Sequence, residues 1–395
     1  MRELGARDIR PTRAGVSFGG PLGAAYRACL WSRVASRVLL PLTTFKAESP
    51  DALYGGVRSI RWADHLDGRG TLAVDAACSD SELTHSHYVA LKTKDAIVDQ
   101  FRERTGVRPS VDVARPDVRV NVYVHRDRAT VSIDLAGDSL HRRGYRVRGS
   151  RAPLKENLAA ALLLLADWPR LAGEGAPLLD PMCGSGSFPI EAALIARDIA
   201  PGLRRPQFGF SRWRGHSAAA WRALVQEAND RAARGSSRPL PPIWGLDTNA
   251  GAVRNGLANA EQAGVRGTIH FERRTLAACA PPPESPAGLF VVNPPYGERL
   301  GDAATLGPLY AEIGDVMRRR FLGWTGWVLA GNPELAKSIG LRPARRVPVF
   351  NGAIECRWLA YPISATAAAA GPRWRAVDST GEPQRFAEGE REDSE

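Results

Sequence analysis

The residues best suited to chemistry follow an apolar run: Leu289–Val292 leads directly into Asn293, Pro294, Pro295 and Tyr296. Each proline fixes its own φ and lacks an N–H, and the residue before a proline is held extended. We therefore expect the Asn293 side-chain carbonyl and the Pro294 backbone carbonyl to point into one pocket without a competing donor. Two fixed acceptors suit a planar –NH2 group, and Tyr296 offers a face for a flat ring. The set fits methyl transfer to an exocyclic amine; the simpler alternative is a proline-rich turn at a strand end.

A glycine-rich turn forms the second group of candidate residues. It reads Asp180-Pro181-Met182-Cys183-Gly184-Ser185-Gly186, after an apolar strand and before a predicted helix over Ser187–Arg197. Glycines let a ligand approach the backbone, and a helix N-terminus favours a negative group. The third glycine of the dinucleotide fingerprint is missing, and Asp180 stands where a cationic amino group could sit. The turn therefore suits a zwitterionic amino-acid tail better than a pyrophosphate.

Asp247 ends the next short strand, Pro242–Leu246. A carboxylate at the tip of the second strand can accept both hydroxyls of a ribose. The alternative is a cap for the helix predicted over Asn249–Ala260. The other two groups of residues favour the ribose.

These three segments together resemble the class I S-adenosylmethionine-dependent methyltransferases that methylate amines. Segments outside the site extend the resemblance to the bacterial guanine-N2 methyltransferases of large-subunit ribosomal RNA that carry a THUMP RNA-binding domain, over roughly residues 2–363. The segments that carry it are Tyr26–Val38, Leu91–Asp99, Arg143–Arg146, Ala152–Leu158, Asp180–Phe188 and Asn293–Leu300.

The resemblance implies S-adenosylmethionine as the cofactor and assigns a site to it. Pro153 and Asn157 would line its methionine end, and no metal is expected. The implied cofactor-binding residues are Pro153, Asn157, Asp180, Pro181, Cys183, Gly184, Ser185, Gly186, Asp247 and Asn293, and the implied catalytic residues are Asn293, Pro294, Pro295 and Tyr296. One position departs from the family pattern: Thr275 stands where an acid usually binds the adenine amine, so a weaker cofactor affinity is one outcome.

The implied reaction is methylation of a guanine N2 amine in 23S ribosomal RNA. The cofactor's sulfonium activates the methyl group, so the protein must bind and aim the two reactants. A base in paired or stacked RNA must be flipped out, and we assign Tyr296 the role of stacking on it. No strong general base is required before attack. Glu298 has two possible roles: it accepts the proton that leaves the methylated amine, or it forms a salt bridge with Arg299.

Three other functions are compatible with parts of this pattern. The same chemistry could act on tRNA, since THUMP domains also serve tRNA-modifying enzymes. A glutamine methyltransferase for a release factor shares the Asn293–Tyr296 motif, but the basic N-terminal half argues against it. A catalytically impaired THUMP RNA-binding protein is favoured by Thr275 and disfavoured by the intact Asn293–Tyr296 corner.

Charge and composition limit the kinds of partner and the cellular compartment that we expect. The formal net charge is +11, and residues 378–395 hold seven acids against two Arg, so the rest of the chain carries +16. Such an excess favours a polyanionic partner, and the alternative is that the arginine-rich composition reflects a GC-rich genome. Five scattered Cys indicate reduced thiols and no zinc. With no signal core and no long apolar run, we expect a cytoplasmic protein that is not bound to a membrane. The resemblance implies ribosomal RNA as the partner, and we expect a monomer.

The elements that must position these residues indicate an α/β fold. We predict a Rossmann-like, seven-stranded methyltransferase sheet with a closing antiparallel strand, preceded by an α+β ferredoxin-like/THUMP region. Apolar periodicity predicts strands, an amphipathic helix over Thr305–Arg320, and a closing hairpin around Asn351-Gly352. The predicted strands are 177–180, 243–247, 269–272, 289–292 and 324–330, with hairpin arms Arg345–Phe350 and Ala353–Tyr361. The predicted domains are 1–60 (partial ferredoxin-like), 61–148 (THUMP), 149–363 (methyltransferase) and 364–395 (a disordered acidic tail).

In the N-terminal half the patterns predict a helix over Ala24–Leu40, a helix over His87–Thr105, and paired strands Arg119–His125 and Ala129–Asp134. The chain starts mid-pattern, so either the true start lies upstream or the first subdomain is trimmed. Relatives are sometimes fused to a second methylase domain, and we expect that activity to be absent here. Arg143–Arg146 either contacts RNA or links the domains, and the sequence does not favour one of these roles. Arg204–Arg214 either contacts RNA or is anchored to the body of the protein by its aromatic side chains.

Overall fold

The computed structural model describes residues 2–12, 15–147, 154–296 and 302–364. Strands β1 (Arg7–Thr12) and β2 (Gly15–Gly19) form an antiparallel pair, followed by helix α1 (Leu22–Trp31). The prediction of a helix through Leu40 is wrong beyond Trp31, because Leu39–Lys46 is strand β3. Pro41 explains the change: it cannot continue a helix, and it holds the preceding Leu40 in the extended region.

The second sheet has five strands in the order β3-β7-β6-β4-β5, with β4 parallel to β5 and β6 and the other pairs antiparallel. The predicted hairpin is confirmed: Arg126 and Asp127, both with positive φ, form the turn between β6 and β7. The division of this half at residues 60–61 stays a prediction, since β3 pairs with β7 across it. The elements are α2 (Pro50–Arg58), β4 (Thr71–Ser79), α3 (Ser86–Thr105), β5 (Ser110–Val111), β6 (Val118–His125) and β7 (Arg128–Asp134).

The C-terminal half is an α/β unit around a seven-stranded sheet, which confirms the predicted fold class. Its elements are α4 (Glu156–Leu165), α5 (Trp168–Gly173), β8 (Leu178–Asp180), α6 (Ser187–Ala196), α7 (Ala218–Ser236), β9 (Ile243–Asp247), α8 (Ala250–Ala263), β10 (His270–Arg273), β11 (Leu289–Val292), α9 (Asp302–Arg320), β12 (Thr325–Ala330), α10 (Pro333–Ser338), β13 (Arg345–Asn351) and β14 (Ile354–Pro362).

The strand order is β10-β9-β8-β11-β12-β14-β13. The first five strands are parallel, and β14 runs antiparallel between β12 and β13, as the hairpin signal predicts. After β8 the chain builds outward through β9 and β10, then returns to place β11 on the other side of β8. Such a reversal of strand order opens a crevice at the carboxyl ends of the strands.

The two halves share a packed boundary. The apolar core of the N-terminal half includes Phe208, Phe210 and Trp213 from the loop after α6, and Leu224 from α7. The Tyr26 hydroxyl lies 2.8 Å from Nδ1 of His216 across this boundary. The loop over residues 204–214 is therefore anchored to the body by its aromatic side chains. The predicted tail lies outside the described residues from residue 365 onward.

Candidate active site

The three predicted segments meet at one edge of the large sheet, where β8, β9 and β11 end. Parallel pairing of β8 with both neighbours brings the ends of all three strands to the same edge. The turn after β8 is tied to β9 by two hydrogen bonds: Cys183 N donates to Leu246 O at 2.9 Å, and Gly184 N donates to Asp247 Oδ2 at 2.9 Å. The tips lie beside the reversal of strand order, where open α/β sheets bind their ligands.

Asp180 is a buried carboxylate without a cation. It is 2% exposed, and its Oδ1 accepts a hydrogen bond from Met182 N at 3.0 Å. Among the described residues no cationic side chain forms an ion pair with it. Burial raises the pKa of Asp180 well above the usual carboxyl range, and the nearby Asp247 carboxylate raises it further. A cationic ligand group at this position would offset that cost.

The two glycines of the turn differ in what surrounds them. Both have positive φ, 54° at Gly184 and 85° at Gly186. A Cβ at Gly186 would lie 2.9 Å from the Phe271 ring, whereas a Cβ at Gly184 would meet nothing within 4 Å. Gly186 is therefore required for packing, while Gly184 borders open space. Between the two glycines, the Ser185 carbonyl accepts a hydrogen bond from Asn259 Nδ2 at 2.9 Å, which holds the turn in place.

Asp247 is not the cap of the helix that follows it. The cap is Asn249, whose Oδ1 accepts from the backbone N–H groups of Gly251 at 2.7 Å and Ala252 at 3.3 Å. Asp247 instead accepts one hydrogen bond on each oxygen, from Asn249 N at 2.8 Å and from Gly184 N. Because each carboxylate oxygen can accept more than one hydrogen bond, Asp247 keeps capacity for a ligand.

The Asn293–Tyr296 corner corrects one prediction. The Tyr296 hydroxyl donates to Asn293 Oδ1 at 2.6 Å, so a competing donor does face this oxygen. Asn351 Nδ2 in turn donates to the Tyr296 hydroxyl at 3.1 Å. The Tyr296 ring packs against Gly331, where a Cβ would lie 2.6 Å from the ring. The sequence misses this donor because the tyrosine side chain folds back onto its own motif.

Further contacts fix the rest of the corner. The Tyr310 hydroxyl donates to the Pro295 carbonyl at 3.0 Å, while Pro294 is buried and Pro295 exposed. Burial is the main cause that raises the pKa of the Tyr296 hydroxyl above its usual range, so this group is a neutral donor at physiological pH. Glu298 and Arg299, predicted as alternatives for proton acceptance and pairing, lie outside the described residues.

Arg143–Arg146 proves to be a link between the halves. Arg143 is buried, with its Nε 3.5 Å from Glu191 Oε1 and its Nη1 2.8 Å from the Leu140 carbonyl. The Tyr145 hydroxyl donates to the same Glu191 oxygen at 3.2 Å. Sequence reasoning missed Glu191, because nothing in the local pattern of an apolar helix indicates which distant arginine its carboxylate meets.

Arg146 reaches the glycine turn itself. Its Nη1 donates to Ser185 Oγ at 3.0 Å, and its Nε donates to Glu156 Oε1 at 3.0 Å. Asn157 points toward the N-terminal half, with Nδ2 3.3 Å from Val34 O and 3.2 Å from Ser36 Oγ. Its assignment to the methionine end stays a prediction, and Pro153 lies outside the described residues.

Thr275 is exposed and begins a single 3-10 turn, Leu276–Ala278. The neighbouring Arg274 pairs with Glu272, with 2.8 Å between Nη2 and Oε2. Glu272 is therefore already paired with an arginine, and the uncharged Thr275 contributes no charge at its position.

The described part of the chain shows neither a membrane-spanning helix nor a cluster of metal ligands. None of its helices has the length and apolar character to cross a membrane. No group of three or more His, Cys, Asp or Glu side chains in those residues could hold a metal ion.

Comparison with known families agrees with this geometry. The family model of the RMKL-like methyltransferase domain matches residues 143–360. The THUMP domain model matches residues 47–134, and the RlmL ferredoxin-like domain model matches residues 1–39. The chain belongs to the RMKL-like methyltransferase family.

Curated relatives carry one name, ribosomal RNA large subunit methyltransferase K/L. The protein of Syntrophotalea carbinolica is 51% identical over 366 residues, which is 92% of this chain and 51% of the relative. The protein of Pseudomonas aeruginosa is 46% identical over 394 residues, 98% of this chain and 54% of the relative. The chain thus spans about half the length of the curated relatives it matches.

Two solved structures share the fold over most of both chains. SMU.472, described as a methyltransferase and complexed with SAH, has a TM-score of 0.81 and 28% identity, with 92% of this chain and 93% of the other covered. A Listeria monocytogenes protein described as a predicted N6-adenine-specific DNA methylase has a TM-score of 0.79 and 33% identity, with 91% and 90% covered.

Proposed function

We propose that this chain is an S-adenosylmethionine-dependent RNA methyltransferase that methylates the N2 amine of a guanine in 23S ribosomal RNA. One observation carries the proposal: the buried Asp180 carboxylate, which has no ion pair among the described residues, lies at the same sheet edge as the Asn293–Tyr296 corner. The first suits the ammonium of an amino-acid cofactor, and the second suits a planar amine. The name of the curated relatives, ribosomal RNA large subunit methyltransferase K/L, supports the RNA substrate.

We propose one orientation of the cofactor at the turn. The ammonium group of S-adenosylmethionine would pair with Asp180, and its ribose would bind Asp247. The amino-acid part of the cofactor would pass Gly184 on the side that borders open space. The SAH complex of SMU.472 supports this class of ligand. Thr275 offers no charge to the adenine amine, so backbone groups and apolar packing must hold the ring. Pro153, Pro181, Cys183, Ser185 and Gly186 remain the other proposed contacts.

The proposed chemistry is positioning. Guanine N2 is a poor nucleophile because its lone pair is delocalised into the ring. Hydrogen bonds from its N–H groups to Asn293 Oδ1 and the Pro294 carbonyl would aim the remaining lone pair at the methyl group. The amine becomes cationic on methylation, and its proton leaves afterwards. The target base must be flipped out of its stack to reach the corner.

The proposed partner is ribosomal RNA, bound by a monomer in the cytoplasm. The THUMP match and the positive charge of the chain outside its acidic terminal segment support a polyanionic partner. The alternative substrate, tRNA, involves the same chemistry. Incubation with labelled S-adenosylmethionine and unmodified 23S ribosomal RNA, tRNA or release factor separates the candidates. Label transferred only to 23S ribosomal RNA is the expected result, and label only in another substrate would refute the assignment.

Asn293→Ala tests the proposed role of the Asn293–Tyr296 corner in catalysis. We expect turnover to fall about 100-fold, since misplacing a reacting group by 1 Å costs a factor of this size, while RNA affinity changes little. Single-turnover kinetics and filter binding measure the two quantities. Wild-type turnover in this variant would remove Asn293 from the mechanism.

Thr275 favours a second candidate, a THUMP RNA-binding protein with an impaired methylase domain. Calorimetric titration of the protein with S-adenosylmethionine decides between the two. Measurable binding supports the enzyme, whereas RNA binding without cofactor binding supports the impaired protein.

A further inference from the structure

A basic cleft lies where the two halves meet. It has a volume of about 390 Å³ and is lined by the loop after β5, the segment after β7 and the loop after α6. Four arginines contribute to its walls, against the single acid Asp138. They are Arg115, Arg119, Arg142 and Arg205.

Two of these arginines build the cleft, and the other two have exposed side chains, although Arg142 forms a solvent-exposed ion pair with Asp138. Arg205 donates to the carbonyls of Ala136, Asp138, Ser139 and Arg142 at 2.7–3.2 Å, which fixes the floor. Arg119 donates to Asp75 and to the Val113 carbonyl. Arg142 stands 3.7 Å from Asp138 with its side chain 68% exposed. Arg115 is exposed, and its side chain makes no ion pair among the described residues.

The cleft is joined to the candidate active site by a short segment. Arg142 and Gly144 line the cleft, and Arg146, two residues further on, donates to Ser185 of the glycine turn. Two residues span at most about 7 Å of extended chain. The cleft and the glycine turn are therefore connected by a short stretch of chain.

We propose that the cleft binds a phosphodiester of the RNA strand that carries the target base, through Arg115 and Arg142. This inference rests on the proposed function. Arginine suits the task because its planar fork donates two parallel hydrogen bonds to a phosphate. Arg142 would exchange its exposed ion pair with Asp138 for the phosphate.

The test is the double charge reversal Arg115→Glu and Arg142→Glu. Binding of labelled, unmodified 23S ribosomal RNA is measured by filter retention from low to high salt. We expect affinity to fall at least about 10-fold and the salt slope to decrease by roughly one unit, since each phosphate contact on a single strand contributes about 0.7. Cofactor affinity, measured by calorimetry, should not change.

The double reversal Arg222→Glu and Arg234→Glu, at exposed positions of α7 that do not line the cleft, is the matched control and should leave the salt slope unchanged. An unaltered affinity and slope in the double variant would overturn the cleft assignment while wild-type methylation of RNA leaves the proposed function intact. If the wild-type chain fails to bind RNA, both proposals fall.

A separate observation concerns the hydrogen bonds behind Asn293. Asn351 Nδ2 donates to the Tyr296 hydroxyl, and that hydroxyl donates its one proton to Asn293 Oδ1. Asn351 lies 55 residues from Tyr296, at the end of β13, where it pairs with Ile354 across the closing hairpin. An amide N–H cannot accept the tyrosine proton, so Asn351 leaves two acceptors for it, Asn293 Oδ1 and the Cys356 thiol, which also contacts the Tyr296 hydroxyl. Burial raises the pKa of the Cys356 thiol, and a neutral sulfur is a weaker acceptor than an amide oxygen.

We infer that Asn351 is a positioning residue for the acceptor corner. A carbonyl oxygen has two lone pairs, so Asn293 Oδ1 can hold the Tyr296 proton and still accept from a substrate amine. The tyrosine then keeps the Asn293 amide from rotating its NH2 group toward the substrate. Tyr296 would thus act through its hydroxyl as well as its ring.

Two substitutions of Asn351 separate this role from simple packing. Asn351→Asp keeps the shape but only accepts hydrogen bonds, so it draws the Tyr296 proton away from Asn293. Asn351→Ala removes the group and leaves the tyrosine free to donate to Asn293. We expect kcat in the order wild type, then Asn351→Ala, then Asn351→Asp at pH 8, with cofactor affinity within about 2-fold. A packing role predicts the reverse order for the two variants.

The pH profile gives an independent readout. A protonated aspartic acid can donate, so the kcat of Asn351→Asp relative to Asn351→Ala should rise as the pH falls. Tyr296→Phe keeps the ring and should lose at least about 10-fold in kcat, the effect of one catalytic hydrogen bond of about 1.4 kcal/mol. Equal kcat for Asn351→Asp and Asn351→Ala at every pH, or wild-type kcat in Tyr296→Phe, would overturn the inference. A wild-type chain that methylates none of the offered substrates would instead refute the proposed function.

Discussion

At the scale of single residues, Asp180 combines a cost to the stability of the folded protein with a proposed role in cofactor binding. Its carboxylate is buried, without a cation among the described residues, and its pKa is raised. The folded protein therefore holds this proton more tightly than the unfolded chain. The associated stability is present below the unfolded pKa of about 3.9 and is lost as the pH rises toward the folded pKa.

Asp180→Asn should separate the two effects. The neutral amide removes the charge, so the melting temperature of the cofactor-free protein at pH 8 should equal or exceed that of the wild type, with a smaller difference at pH 5. Affinity for S-adenosylmethionine should fall about 10- to 100-fold, because a hydrogen bond to a charged group contributes about 1.5–3 kcal/mol. Thermal melts and calorimetry measure both. Loss of stability without loss of affinity would show that Asp180 serves the fold alone.

At this scale, the sequence predicted the positions of the site residues but not the hydrogen-bond partners of their side chains. The acceptor corner and the acidic strand ends were predictable, because residue type and strand position define them. The Tyr296 hydroxyl on Asn293 was not, since an amide oxygen accepts from whichever donor the surrounding packing delivers. Asp247 shows the same limit: the sequence allowed a helix cap, and the structure gives that role to Asn249.

At the scale of elements, the glycine turn offers a matched pair of substitutions. Gly184 and Gly186 both have positive φ, so an alanine at either costs about 1–2 kcal/mol of backbone strain. Gly186→Ala adds a contact of 2.9 Å with Phe271 and should lower the melting temperature more. Gly184→Ala meets no protein atom but projects into the proposed ligand path, so it should weaken cofactor binding. Equal cofactor affinity in Gly184→Ala and the wild type would move the ligand elsewhere.

Elements defined by local pattern were predicted well. The strands of the large sheet, the helix over Thr305–Arg320 and the closing hairpin are confirmed, because apolar periodicity and the Asn351-Gly352 turn are local signals. The helix over Ala24–Leu40 was overextended, because its apolar spacing continued while Pro41 and pairing with β7 drew Leu39 into a strand. Position in a sheet overrode a plausible helical pattern.

At the scale of the whole molecule, a buried ionic cluster joins the two halves. Glu191 is fully buried on α6 and meets Arg143 and Tyr145 from the linking segment. Burial raises the pKa of Glu191, while Arg143 and Arg33 oppose that shift. The cluster fixes the linking segment that runs from the basic cleft to the glycine turn.

Glu191→Gln should destabilise the entire chain. Breaking a buried ion pair leaves an uncompensated charge and costs about 3–5 kcal/mol, so the free energy of unfolding in urea should fall by this amount. Glu174→Gln is the control: its partner Arg170 is exposed, and surface pairs contribute about 0–1 kcal/mol. Similar losses in the two variants would show that the Glu191 cluster does not hold the halves together.

Local sequence patterns were enough to predict which residues stand at the ends of the strands, because apolar runs, prolines and glycines act over a few neighbouring positions. It also carried enough of the family pattern to indicate a THUMP-type RNA methylase. Only the tertiary structure decided that Arg143 links the halves, that the Phe208–Trp213 loop is anchored, and that Asn351 stands behind Asn293. Those contacts join residues dozens of positions apart, and their partners are selected by how the sheets and helices pack.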